Sequence, residues 1–182
     1  MKKLIDLLFQ AHHLKRIQRT GYAFLGPGRE SVAEHTFSAT FVGWVLSRLE
    51  PQVNTLRLIT MCLTHDLAEA RTGDLNYVQK KYATCHEQQA VNDTAEGLPF
   101  ADELTGLVSE FNQCKTLEAQ LAYDADQISF MLELKALADM GYTPPVRWFE
   151  SVSARLMTDT GRKLSKEIEK TPWDRWWRKL FD

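Results

Sequence analysis

Apolar residues return every three or four positions along nearly all of this chain, and nowhere do they alternate with polar ones over a strand's length. That spacing lines one face of a helix, whereas alternation would line one face of a strand. The fold class that follows is all-α. At 182 residues, with 44% hydrophobic and 25% charged side chains, the chain has the material for one cored domain spanning 1–182.

Breakers divide the helices. Leu4, Leu7, Leu8, Leu14 and Ile17 share a face of a first helix, which Gly21 in "RTGY" can stop. After the turn-rich "LGPGRES", Ser31 and Glu34 have the spacing of a capping box, which predicts a helix through "FSATFVGWVLSRL" to Pro51. Residues 54–71 read as the next helix, capped by Asn54 or Thr55, with Gly73 just beyond its end. Residues 74–84 are weakly patterned, and helices over 86–97 and 100–113 flank "GLP". A long helix over 116–140 turns Leu117, Leu121, Ile128, Met131 and Leu132 inward. Beyond "GYTPP" come helices near 145–157 and 160–170, then the aromatic tail "PWDRWWRKLFD".

A net charge of −2 gives no electrostatic case for nucleic acid or an acidic membrane as partner. "FVGWVL" is too short to span a bilayer. The N-terminal "MKKLIDLLFQAHHLKR" lacks a small-residue cleavage site and is not read as a signal peptide. Cys62, Cys85 and Cys114 show no paired spacing, so reduced thiols in a cytoplasm are expected.

Chemistry concentrates in "LTHDLAEARTGD". Leu58, Cys62, His65 and Glu69 follow one another at helical spacing, so an apolar flank ends in ligand-type groups. Asp66 lies roughly 100° further round, close enough for both side chains to meet an ion beside the helix. Buried without partners, such groups would be costly; a shared cation removes much of that cost. His35, at the start of a separate apolar helix, can add a second imidazole, and "YDAD" in the long helix offers Asp124 and Asp126. These two point to nearly opposite sides, and periodicity puts Asp124, not Asp126, on the apolar stripe. Two His and two Asp suit manganese, cobalt, nickel or iron, with zinc or magnesium less fitting.

"VAEHTF", "LTHDLAEARTGDL" and "DADQI" resemble, in order and separation, the H…HD…D pattern of HD-domain metal-dependent phosphohydrolases. "LKRIQRTGY" resembles more narrowly the small HD proteins similar to bacterial 5′-deoxynucleotidases and their eukaryotic HD-domain-containing relatives. The resemblance covers about residues 12–135 and implies an HD-domain helical bundle, with 141–182 as additional C-terminal helices. It implies His35, His65, Asp66 and Asp126 as metal ligands, the second Asp of its segment being the family's position. Glu69 would orient or deprotonate the attacking water, Asp74 would assist with proton transfer or with the sugar, and Arg19 would contact the substrate phosphate. Arg29 is a further candidate for that contact. One departure concerns Thr20, which stands where the bacterial pattern has tryptophan and matches the eukaryotic-type branch instead.

The function expected is removal of the 5′-phosphate from (deoxy)ribonucleoside monophosphates by metal-activated water, in a protein that forms a homodimer as relatives commonly do. Hydrolysis of nucleoside triphosphates or another phosphoester is an alternative, and a non-catalytic metal-binding regulatory protein is another. Glu69 followed by Ala70 argues against the HDxxED continuation of alarmone hydrolases. His12, His13 and His86 fall outside the pattern and are not expected to be ligands; His12 and His13 would lie near the pocket mouth. The tail aromatics Trp173, Trp176, Trp177 and Phe181 are expected to dock a last helix on the bundle or across a dimer.

Overall fold

Ser31 and Glu34 close the expected capping box. The Ser31 Oγ accepts from the Glu34 amide, and the Glu34 carboxylate accepts from the Ser31 amide at 2.6 Å. Two donors that a helix start leaves orphaned are thereby satisfied, and His35 is fixed in the first turn of the helix that follows.

A computed structural model describes residues 1–181. Its helices are α1 (Lys2–His13), α2 (Val32–Leu49), α3 (Thr55–Thr64), α4 (Glu69–Thr72), α5 (Glu87–Ala95), α6 (Ala101–Gln113), α7 (Leu117–Asp139), α8 (Pro144–Ser153), α9 (Asp159–Lys170) and α10 (Arg175–Arg178). Among the described residues there is no strand, only an isolated antiparallel bridge between Gln18 and Ser31. None of these helices is long and apolar enough to cross a membrane.

The long helix α7 is the axis of the bundle and packs against α2, α3, α8 and α9. Its Leu121, Ala125, Ile128, Met131 and Leu134 are fully buried against Leu46 of α2 and Leu58, Met61 and Cys62 of α3. Each large side chain removed from water in this way contributes about 1.5–3 kcal/mol, so the helices that carry the site are fixed by the main core. Leu132 is the exception to the expected inward set: it is 42% exposed, because it lies one position round from Met131, on the outer face. A second cluster, Leu14, Val32, Leu67, Leu98 and Leu104, seats the N-terminal segment on α2 and α6.

Two helices differ from the sequence expectation. The first ends at His13; a 3-10 turn over Leu14–Arg16 follows, and the chain then runs extended instead of continuing to Gly21. Long-range backbone pairing explains this: Arg19 N donates to Glu30 O and Val32 N to Ile17 O, both at 2.9 Å. The helix expected over 54–71 begins as anticipated, with Asn54 accepting from Arg57 N, but breaks after Thr64. The Cys62 carbonyl, which a continuing helix would offer to the Asp66 amide, accepts instead from His65 Nδ1 at 2.9 Å. The next amides reach back three residues: Leu67 to Thr64, Glu69 to Asp66, Ala70 to Leu67. Helix α4 then ends at Gly73, whose φ of +71° suits a residue without a side chain.

Candidate metal centre and its cavity

Three elements bring the sequence-nominated groups together: the first turn of α2 (His35), the tightened turn after α3 (His65 and Asp66) and the middle of α7 (Asp126). His35 Nε2 lies 2.7 Å from Asp126 Oδ1 and 3.8 Å from Asp66 Oδ2. His65 Nε2 lies 3.2 Å from Asp66 Oδ2 and 3.9 Å from Asp126 Oδ1. His35, His65 and Asp126 each offer a ligand atom within 4.8 Å of the other two.

Local bonds aim these groups. Nδ1 donates to the Cys62 carbonyl, which leaves Nε2 as the free ring position of His65, and that buried atom has no hydrogen-bond partner. An orphaned buried polar atom costs about 1–3 kcal/mol, which a cation at that point would relieve. The Ser129 hydroxyl sits 3.1 Å from His35 Nδ1, three residues on from Asp126 along α7, and orients that ring in the manner usual for metal-bound imidazoles. Asp126 Oδ2 accepts from Gln127 Nε2 at 2.7 Å. The donor set, two nitrogens and two carboxylates without thiolate, fits a divalent transition metal. Cys62 adjoins the centre, but burial, then Asp126, push its thiol up to about 12, so it stays protonated.

The charges also favour a cation. Burial alone would lower the His65 pKa, yet Asp66 and Asp126 raise it to about 9. For Asp126, burial opposes ionisation, but the His35 hydrogen bond and the charges of His35 and His65 hold the carboxyl below its ordinary range. Burial, then repulsion from Asp66 and Asp74, pushes Glu69 up to about 9. A divalent ion among these carboxylates would act against that repulsion and lower the Glu69 pKa.

Beside the centre lies an open cavity of about 430 Å³ whose wall includes Arg19, Asp74, Gln127, Tyr77, Phe130 and Trp148. Arg19 is part-buried; desolvation opposes its charge, but Asp126, Asp66, Glu30 and Asp74 hold it cationic. Its Nε is 3.7 Å from Glu30 Oε2, and its guanidinium is 5.6 Å from the centre of the Phe130 ring. Thr20, next in sequence, donates its amide to Asp74 Oδ2 at 2.6 Å and its hydroxyl to the Asp74 carbonyl at 3.0 Å. The residue that departs from the bacterial pattern thus fixes Asp74 on the cavity wall.

Other candidates lie elsewhere. Arg29 is exposed and lines a separate hollow with Lys15, Gln18 and Glu34, so it is not brought to this cavity. His12 and His13 line another hollow with Phe9 and Arg16, away from the mouth where they were expected, and His86 is exposed. Asp124 is fully buried and accepts from Met157 N, Thr158 N and the Thr158 hydroxyl, so its place on the apolar stripe reflects a structural anchor. Sequence reasoning passed over Ser129, Gln127, Tyr77 and Trp148. Ser129 alone carried a signal, its helical spacing from Asp126.

A family model described as "HD domain" matches residues 11–169. The human 5′-deoxynucleotidase HDDC2 is 26% identical over 149 residues, 79% of this chain and 72% of that protein. Its namesake from Dictyostelium discoideum is 29% identical over 132 residues, 66% of this chain and 70% of that protein. Among solved structures, a conserved hypothetical protein from Pyrococcus furiosus superposes with a TM-score of 0.77 at 28% identity, covering 92% of this chain and 99% of the other. The cyanophage S-2L HD phosphohydrolase (DatZ), bound to dA and one catalytic Zn2+, gives a TM-score of 0.57 at 21% identity, covering 90% and 96%; that likeness is one of fold alone.

Proposed function

Because the chain belongs to the HD-domain family, we propose that it is a metal-dependent phosphohydrolase that removes the 5′-phosphate from deoxynucleoside monophosphates. The observation that carries this reading is the orphaned Nε2 of His65, set among three further ligand-type groups beside the part-buried cation Arg19. Relatives named 5′-deoxynucleotidases support the substrate class.

His35, His65, Asp66 and Asp126 would hold one divalent ion, with manganese, cobalt, nickel or iron best suited to the donors. When bound, the ion supplies Lewis acidity that makes water a nucleophile near neutral pH and neutralises phosphoryl charge. Arg19 grips the phosphate with its planar fork of donors. Glu69 takes the proton from the attacking water as general base. Asp74, held by Thr20, hands on to the leaving 5′-oxygen the proton that Glu69 took from water, as the bond from phosphorus to that oxygen breaks. The products are nucleoside and inorganic phosphate.

The experiment is phosphate release from deoxy- and ribonucleoside mono-, di- and triphosphates with each metal added in turn. Release from deoxynucleoside monophosphates is the expected result. Preference for triphosphates would overturn the substrate assignment, and no turnover with any metal would overturn the enzyme.

The assembly is read as a homodimer. Phe37, Phe41 and Trp44 stand four and three residues apart on the outer face of α2, exposed and tilted against one another, with ring centroids 6.4 and 5.5 Å apart. Phe37 also lines an apolar groove of about 500 Å³ together with Leu7, Leu8, Leu63 and Phe100. Contiguous apolar surface of this kind marks an interface. The three unpaired cysteines support a reducing compartment, read as the cytoplasm.

A further inference from the structure

The cavity carries an aromatic wall that the phosphoryl chemistry does not use. Tyr77 comes from the loop after α4, Phe130 from α7 and Trp148 from α8. Trp148 lies 6.0 Å from each of the other two ring centres, at 70° to Tyr77 and 74° to Phe130. Phe24 backs the group, 5.6 Å from Tyr77 and 6.5 Å from Trp148 at 27°. These rings are not a closed core: Tyr77 is 66% exposed, and Trp148 is only part-buried. Ser151 and Val152, three and four residues after Trp148, line the same cavity, so one face of α8 is turned toward it.

Arg19 gives the wall a direction. Its guanidinium stands 5.6 Å from the Phe130 ring, and that ring stands 6.0 Å from Trp148. A ligand with an anionic group at Arg19 and a flat, weakly polar ring at Trp148 satisfies both ends, and a nucleotide is such a ligand. Stacking on aromatic side chains is how proteins hold a base without reading its edge. On the phosphohydrolase reading above, we propose that Trp148 and Tyr77 form a nucleobase-stacking subsite, so that the C-terminal helices beyond α7 complete the substrate pocket.

The test uses the full chain and two readouts. Calorimetric titration with deoxyadenosine, which lacks a phosphate, measures the subsite directly. Wild type should bind saturably, Trp148→Ala should bind at least about tenfold more weakly, and Trp148→Phe should recover most of the loss. In steady-state kinetics, the kcat/KM ratio of deoxyadenosine 5′-monophosphate to deoxyribose 5-phosphate should fall at least about tenfold in Trp148→Ala. Thermal melting confirms that the variant is folded; if it is not, Tyr77→Ala, at an exposed ring, carries the same comparison. Equal affinity and equal ratio in wild type and variant would overturn the subsite, as would no binding of deoxyadenosine to wild type. Wild type that releases phosphate from no nucleotide would overturn the phosphohydrolase reading alone, since the titration decides the subsite without turnover.

Discussion

Asp66 has the most demanding position in the centre, with Oδ2 3.2 Å from His65 Nε2 and 3.8 Å from His35 Nε2 on a backbone that has just left helical bonding. Asp66→Ala should lose both metal retention in a metal analysis and phosphate release; turnover at the wild-type rate would remove Asp66 from the site. Arg19→Ala takes away the part-buried cation on the cavity wall and should cut kcat/KM by about a hundredfold or more, with the fold intact by circular dichroism. An unchanged kcat/KM would leave the phosphate without its proposed partner. At this scale the sequence was readable where chemistry was unusual for its surroundings, as with a His–Asp pair ending an apolar flank. Periodicity failed where two like residues competed, and the family position alone chose Asp126. Asp124 lies on the apolar stripe, and only coordinates reveal that it binds backbone amides of a distant segment while Asp126 faces His35.

Among the elements, the attachment of α9 to α7 depends most on a single side chain. Asp124 accepts from Met157 N at 2.7 Å, Thr158 N at 2.9 Å and the Thr158 hydroxyl at 2.6 Å, and Thr158 in turn caps α9 through Gly161 N. A Cβ on Gly161 would collide with the Asp124 carboxylate, so glycine is what lets α9 seat this closely. Asp124→Ala should destabilise the protein by about 3 kcal/mol, because it strands buried donors, and lower Tm by roughly 10 °C; an unchanged melt would refute the anchor. Local signals, such as the capping box at Ser31 and the side-chain cap of Asn54, were legible because their partners lie within three residues. The break after Thr64 was not, because it depends on a side chain outcompeting an amide for one carbonyl. The early end of α1 depends on pairing with residues 30–32, which no local pattern encodes.

For the whole molecule, the core places three remote segments around one point, and the outer faces of α1, α2 and α3 leave an apolar surface open. The homodimer reading predicts that sedimentation of wild type gives the mass of two chains, and that Phe41→Glu with Trp44→Glu shifts it to one. A monomeric wild type at high concentration would contradict that reading. Helical class could be read ahead of the structure because apolar residues recur at fixed spacing, and the ligand set was expected from the order of its motifs along the chain. The aromatic wall could not, since Tyr77, Phe130 and Trp148 share no spacing and meet only once α8 folds back on α7. On the proposed function, this fold grips one divalent ion with two imidazoles and two carboxylates. Anomalous diffraction from crystals grown with manganese tests it most directly: the account predicts one peak bonded by His35, His65, Asp66 and Asp126, and a peak elsewhere, or none, would contradict it.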